Sequence, residues 1–170
     1  NNGQSCIAAK RFLIHHTIFE NFVEKYKEAI SKLKHGNPLD YETQISDLAR
    51  EDLAIKLEKQ VDKSVQMGAK IICGGKRKNS FYEPTILTNI TEEMPVFNEE
   101  TFGPVAAFMS FETLDEAIQL SNNSDFGLGV TIFTENVEGI VPYISQFNEG
   151  AVFINDMVKS DPRLPFGGIK

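Results

Sequence analysis

The sequence contains no tryptophan, only two cysteines and only three histidines in 170 residues. Two thiols set far apart, Cys6 and Cys73, rule out a disulfide-built scaffold. They leave a single Cys6–Cys73 bridge open, although nothing in the sequence points to an oxidising compartment. The histidines, His15, His16 and His35, accompany no Cys-x-x-Cys pair, so no metal site is expected and solvated or capping roles are assigned to them. There is no Gly-x-Ser-x-Gly around which a serine triad could be assembled. No stretch approaches about 20 apolar residues, which excludes a membrane-spanning helix. Basic residues are also too few for a nucleic-acid module. Lys and Arg number 17 against 24 Asp and Glu, a net charge of −7, and the pI near 5.0 comes with no basic stripe. Internal repeats, low-complexity tracts and interdomain linkers are absent. The sequence opens on Asn1-Asn2-Gly3-Gln4-Ser5-Cys6 and stops on Pro165-Phe166-Gly167-Gly168-Ile169-Lys170. Because both ends are already motif-like, we expect a piece of a longer polypeptide.

What is present is ordinary globular material. Phenylalanine numbers 13, and 41% of the residues are apolar, enough to exclude disorder. Arg11-Phe12-Leu13-Ile14 has strand length. Thr17-Ile18-Phe19-Glu20 has the capping-box form, and Ile18, Phe22, Tyr26 and Ile30 behind it recur every four residues, which predicts a helix ending near Leu33. Leu53, Leu57, Val61 and Val65 predict a second helix that Gly68 can close. Lys70-Ile71-Ile72-Cys73 and Pro84-Thr85-Ile86-Leu87 read as extended, and Val105-Ala106-Ala107-Phe108-Met109 reads as a buried strand. Thr113-Leu114-Asp115-Glu116 is a second capping box. Val130-Thr131-Ile132-Phe133 and Ala151-Val152-Phe153-Ile154 read as strands. The helical stripe between them (Val137, Ile140, Val141, Ile144) contains Pro142, which predicts a kink or a late start. This alternation predicts one α/β domain over 1–170, in three layers, with a mainly parallel sheet flanked by helices. Chemistry in such sheets gathers at strand ends and helix starts.

Cys6 follows Gly3-Gln4-Ser5 and precedes a stretch of good helix formers. If a helical turn starts there, unsatisfied N–H groups favour its thiolate and can hold a developing oxyanion. The alternative is a small buried hydrophobe. Cys73 ends an aliphatic strand and reads as core filler. Glu99-Glu100-Thr101-Phe102-Gly103-Pro104 joins two carboxylates to an aromatic, a flexible residue and a fixed φ. Such a shaped loop can present a carboxylate to ribose hydroxyls and a ring to a flat heterocycle; the alternative is a solvated loop. Gly127-Leu128-Gly129 lacks the third glycine of a phosphate loop and reads as a turn. Ser160-Asp161-Pro162-Arg163 is a proline-stiffened loop in which Ser160 and Arg163 can recognise an anion; a plain surface loop is the alternative.

Taken together, these motifs resemble the catalytic domain of the aldehyde dehydrogenase superfamily. Asn2-Gly3-Gln4-Ser5-Cys6 resembles its Gly-Gln-x-Cys nucleophile motif, and Glu100-Thr101-Phe102-Gly103-Pro104 its Glu-x-Phe-Gly-Pro cofactor motif. Pro165-Phe166-Gly167-Gly168-Ile169-Lys170 resembles its Pro-Phe-Gly-Gly-x-Lys motif. Ala8-Ala9-Lys10-Arg11-Phe12 and Asp47-Leu48-Ala49-Arg50-Glu51-Asp52-Leu53 resemble the bacterial succinate-semialdehyde dehydrogenases. The resemblance implies NAD or NADP as cofactor, a small aldehyde as substrate, a cytoplasmic location and a homodimer or homotetramer for the full-length protein, with no nucleic-acid or membrane partner. It implies that Cys6 attacks the aldehyde carbonyl, that its N–H forms half of an oxyanion hole, and that Glu100 binds the nicotinamide ribose. It places Phe102 beside the nicotinamide, Phe166 along the substrate tunnel and Ser160 at a substrate carboxylate. It also implies that the general base, the second oxyanion donor and the dinucleotide-binding domain precede these residues, so the 170 residues alone are expected to be inactive. Two other classes stay open. A thiol hydrolase or acyltransferase would need a histidine beside Cys6, and a non-catalytic assembly domain would bury Cys6 among apolar side chains.

Overall fold

In the computed structural model, which describes all 170 residues, contacts divide the chain into two compact units, Asn1–Glu112 and Thr113–Lys170. The first runs β1 (Arg11–His15), α1 (Phe19–Ser31), α2 (Glu51–Gln66), β2 (Lys70–Cys73), β3 (Arg77–Lys78), β4 (Phe81–Tyr82), β5 (Thr85–Thr88), α3 (Pro95–Asn98) and β6 (Val105–Phe111). Four of these strands form one sheet in the order β1-β6-β5-β2. β6 is parallel to both β1 and β5, and only the edge strand β2 is antiparallel. The α/β class and the mainly parallel sheet read from the alternation therefore hold.

The apolar runs explain the strand positions. Val105 to Met109 are all buried, as is every residue of β5. Continuous burial of that kind marks central strands covered on both faces. Pleating sends successive side chains to opposite faces. Ala106 and Phe108 of β6 join Ile14, Ile86 and Val23 in one cluster against the Phe22, Tyr26 and Ile30 stripe of α1. Register pairs Phe12 with Phe108, and their ring centroids stand 5.0 Å apart. Tyr26 meets Phe108 edge-on at 5.1 Å. Cys73 packs against the same cluster, as its core-filler reading required, and burial pushes its thiol up.

Three local expectations differ from the structure. Thr17 does not cap α1. Its hydroxyl is engaged by His15 Nδ1 at 2.8 Å, and His15 itself accepts from the Thr17 N–H. A 3-10 turn then covers His16–Ile18, so α1 starts at Phe19 without a side-chain cap. The β3–β4 hairpin carries no apolar alternation and was not expected. The third difference, at Cys6, belongs to the site.

The second unit comprises α4 (Leu114–Asn122), β7 (Val130–Ile132), α5 (Val137–Ile140) and β8 (Val152–Ile154). Here the expected Thr113 cap forms, with Thr113 Oγ1 accepting from the Glu116 N–H at 3.2 Å. β7 and β8 pair in parallel. Their crossover is α5 followed by a 3-10 turn, Val141–Gln146, whose first turn holds Pro142. The ring removes a donor and clashes with the preceding turn of an α-helix, which explains why the expected stripe breaks there. No helix in the chain is long and apolar enough to cross a membrane.

Candidate active site

Within the first unit, the Cys6 segment and the 99–104 loop are brought together by glycine. Gly3 has φ +72, and a Cβ there would overlap the carbonyl of Gly103. Only glycine permits both the left-handed backbone and the contact. Gly103 in turn has no room for a side chain beside Leu57 of α2. The nucleophile motif, the cofactor motif and α2 are thus packed with no side chain between the two loops. The Asn2 and Gln4 side chains pin the same segment to a third stretch: Asn2 Nδ2 donates to the Ser46 carbonyl, and the Ala49 N–H donates to Gln4 Oε1 at 2.8 Å.

Cys6 sits in a turn, not at a helix start. The Ala8 N–H donates to the Ser5 carbonyl at 3.0 Å, and the chain then passes directly toward β1. The expected helix N-terminus is absent because the segment is fixed at both sides by tertiary contacts, which override the helix-forming tendency of Ala8-Ala9. Cys6 is a free, exposed thiol. Within these 170 residues that exposure gives no support to the reading of Cys6 as core packing.

Lys10, four residues on, closes the turn. Its ammonium donates to the carbonyls of Ser5 and Ala8, each at 3.3 Å. The same Nζ stands 5.1 Å from the centroid of the Phe102 ring. Burial holds the Lys10 ammonium below the usual lysine value, against the electrostatic influence of Glu100 and Cys6, which favours its charge.

The 99–104 loop is built from below by two polar residues of α2. Gln60 and Ser64 are buried although they are polar. Gln60 Nε2 donates to Glu99 Oε2 at 2.8 Å and to the Glu100 carbonyl at 3.3 Å. Ser64 Oγ accepts from the Val96 N–H at 3.2 Å, fixing the start of α3. Both carboxylates of the loop are exposed, but Glu99 is tied to α2 through Gln60 whereas Glu100 is held there only by its backbone carbonyl. Phe102 has φ +37, an outlier for a bulky residue and a kind of strain that concentrates at functional sites. The residue remains 39% exposed, so it is presented and not buried.

A cleft of about 240 Å³ opens between α2 and this loop, lined by Leu53, Lys56, Leu57, Gln60, Glu100, Thr101 and Phe102. The Thr101 hydroxyl on its wall is buried with no hydrogen-bond partner. A carboxylate, an ammonium, an apolar helix face and a strained aromatic around one cleft fit a sugar carrying a flat ring.

Sequence reasoning missed Lys10, Lys56 and Gln60. Gln60 carried a signal: at i+3 from Leu57 and i+7 from Leu53, it falls on the buried face of α2. Lys10 carried none, because its partner lies in a distant segment. His15 is engaged by Thr17 and His35 by Asp47 at 2.9 Å, and the His16 ring lies 4.6 Å from that of His15. The hydrolase reading, which needs a histidine base, therefore gains no support.

In the second unit, Phe166 is half exposed. It lines a small pocket of about 40 Å³ with Phe153, Leu164 and Lys159, among others. Ser160 is exposed and is not part of that pocket's wall. The Arg163 guanidinium is held by both oxygens of Asp161, at 2.9 and 2.6 Å, so it is already paired and does not present the open anion fork expected of it. Lys170, the last residue of its motif, reaches Glu149 at 3.4 Å and the Asn122 carbonyl at 3.3 Å. Gly150 lies against the Gly167 carbonyl, again with no space for a Cβ. These three contacts anchor the motif to its own unit.

Comparison with known proteins adds an independent line. The model of the aldehyde dehydrogenase family matches residues 1–170. The chain is 45% identical over 173 aligned residues to a succinate-semialdehyde dehydrogenase [NADP(+)] of Mycobacterium leprae, covering all of this chain and 38% of that protein. Among solved structures, an aldehyde dehydrogenase of Physcomitrella patens in complex with the reaction product succinate superposes with TM-score 0.94 at 32% identity. It is matched over 99% of this chain and 35% of its own. A betaine aldehyde dehydrogenase of Staphylococcus aureus in complex with NAD+ superposes with TM-score 0.95 at 34% identity, over 99% of this chain and 35% of its own. The chain thus spans little more than a third of the length of these relatives.

Proposed function

Since the chain belongs to the aldehyde dehydrogenase family, we propose that it contributes the nucleophile and part of the nicotinamide site to an NAD(P)-dependent oxidation of an aldehyde, with succinate semialdehyde as substrate. The observation that carries this reading is the packing of an exposed Cys6 turn directly against the Glu100–Phe102 loop, through Gly3 and Gly103. The substrate assignment is supported by the succinate-semialdehyde dehydrogenase likeness and by the neighbour crystallised with succinate.

In this mechanism Cys6 adds its sulfur to the aldehyde carbon, and the carbonyl oxygen becomes a hydroxyl or alkoxide. A turn that leaves Cys6 accessible suits this attack, and the Cys6 N–H is assigned to the developing oxygen charge, where one donor is worth about 3 kcal/mol. Bound nicotinamide supplies the hydride acceptor. Glu100 accepts hydrogen bonds from ribose hydroxyls, and Phe102 flanks the flat ring across the cleft. Thr101, whose hydroxyl lacks a partner, and Lys56 offer further polar contacts on the same wall. Once oxidised, the carbon remains on Cys6 as a thioester. Water cleaves it, returning the thiol and releasing the carboxylate. Phe166 and Ser160 are assigned to substrate on their motif resemblance.

The general base is assigned to a segment outside these residues, and the 170 residues alone are expected to show no turnover. The test is kinetic. The polypeptide carrying these residues should reduce NAD(P) with succinate semialdehyde, and Cys6→Ser should lower kcat by about 1000-fold or more. Cys6→Ser retaining wild-type turnover would overturn the reading.

A further inference from the structure

The proposed chemistry uses Cys6 from one loop and Phe102 from another, and a single side chain touches both loops. Lys10 donates to the carbonyls of Ser5 and Ala8, which bracket Cys6, at 3.3 Å each. Its ammonium also faces the Phe102 ring at 5.1 Å from the centroid. Lys10 as a whole is partly buried. Glu100 and Cys6 both act electrostatically on Lys10, which puts both loops within its field. The residue it holds, Phe102, is the one in the left-handed region with φ +37. A bulky residue keeps that conformation only where its surroundings fix it. The fixing groups are Gly103 behind it, packed on Gly3, and the Lys10 cation on its ring.

We propose that Lys10 is a positioning residue that couples the two halves of the site: its ammonium joins the Cys6 turn to the Phe102 loop, so that a change at the cofactor-side ring is felt at the thiol. The proposal rests on the reading of Cys6 and Phe102 given above. It adds a residue that neither motif contains and a direction of communication between them. A displaced Phe102 ring withdraws the ammonium from the Ser5 and Ala8 carbonyls and loosens the turn that presents Cys6. A cation on an aromatic face prefers that face strongly enough to bias a side chain with several donors toward one geometry.

The test is a double-mutant cycle read at the thiol, on the polypeptide carrying these residues and without substrate. Alkylation of Cys6 by iodoacetamide is followed by peptide mass spectrometry in wild type, Phe102→Leu, Lys10→Met and the double variant. Phe102→Leu is expected to change the Cys6 alkylation rate about threefold when Lys10 is present and to have no effect on it in Lys10→Met. Lys10→Arg, which keeps a cation and donors, should preserve the coupling. Lys10→Gln keeps a donor but removes the cation, and should lose the coupling while folding as wild type. An equal effect of Phe102→Leu with and without Lys10, or no effect in either background, overturns the proposal. Retained coupling in Lys10→Gln overturns it as well. The functional reading fails separately, by absence of aldehyde oxidation in the wild type, and that result leaves the alkylation cycle intact as a test of coupling.

Discussion

Gly3 and Gly103 touch through their backbones, with the missing Cβ of Gly3 aimed at the Gly103 carbonyl oxygen. Two loops separated by about a hundred residues in sequence are thereby held too close for a side chain to fit between them. Gly3→Ala should break this. The methyl group meets backbone, which cannot swing away as a side chain can, and φ +72 is strained for alanine. A loss of about 1–3 kcal/mol is expected, read as a lowered urea midpoint with an unchanged slope. Cofactor binding should weaken in the same variant.

Gln60 should separate stability from binding. Gln60→Leu removes the donors to Glu99 and to the Glu100 carbonyl. It places an apolar group of similar size at a buried position, and Glu99 can turn to water. The stability change is expected to stay within about 1 kcal/mol. The KM for NAD(P) should rise about three- to tenfold as the loop loses its support, and the cofactor-free alkylation rate of Cys6 should shift with it, because the loop bears on the Cys6 turn through Phe102 and Lys10. Steady-state kinetics and alkylation on the same protein check both halves.

The contrast between these two positions explains what the sequence could disclose. The 99–104 loop was legible because Gly103 and Pro104 are local devices with one-residue causes. Thr113 was legible for the same reason, since a cap needs only its own helix. Thr17 has the same pattern and fails, because His15 competes for its hydroxyl at 2.8 Å. The Cys6 segment fails likewise: its helix-forming residues are local, but Asn2, Gly3, Gln4 and Lys10 bind it to Ser46, Gly103, Ala49 and Phe102 respectively. The hairpin Arg77–Tyr82 is polar on its surface and has no period to read. The sheet itself was legible, because strands buried on both faces must be apolar throughout, and Val105–Met109 is.

The two thiols should differ in reactivity. Cys6 is exposed and Cys73 packs against the core cluster of the first unit. Burial raises the Cys73 pKa above the ordinary thiol value of 9.0. Cys73 thiolate therefore appears only at higher pH than for a free thiol. At neutral pH, limiting iodoacetamide should label Cys6 first, with Cys73 labelled substantially only in urea. Mass spectrometry of the two tryptic peptides decides this. Equal labelling in the native state would contradict the burial argument.

Asp47 should give the chain a small acid-side loss of stability. Hydrogen bonds from His35 and Ser80 hold its carboxyl below the ordinary value of 3.8. A depressed carboxylate stabilises the fold above its unfolded pKa and loses that contribution as pH falls through the folded one. Asp47→Asn should therefore lie below wild type in stability at pH 6, with the gap closing below about pH 4. Urea melts at the two pH values check the sign. The pair is mostly exposed, so the difference should shrink in high salt.

The most direct test of the account is to look for the acyl group on sulfur. The polypeptide carrying these residues is mixed with succinate semialdehyde and NADP, quenched in acid within the first turnovers and digested. The account predicts a succinyl adduct on the peptide containing Cys6, lost on treatment with hydroxylamine and absent without cofactor. An active enzyme that carries the adduct on another residue, or never acylates Cys6, would contradict it.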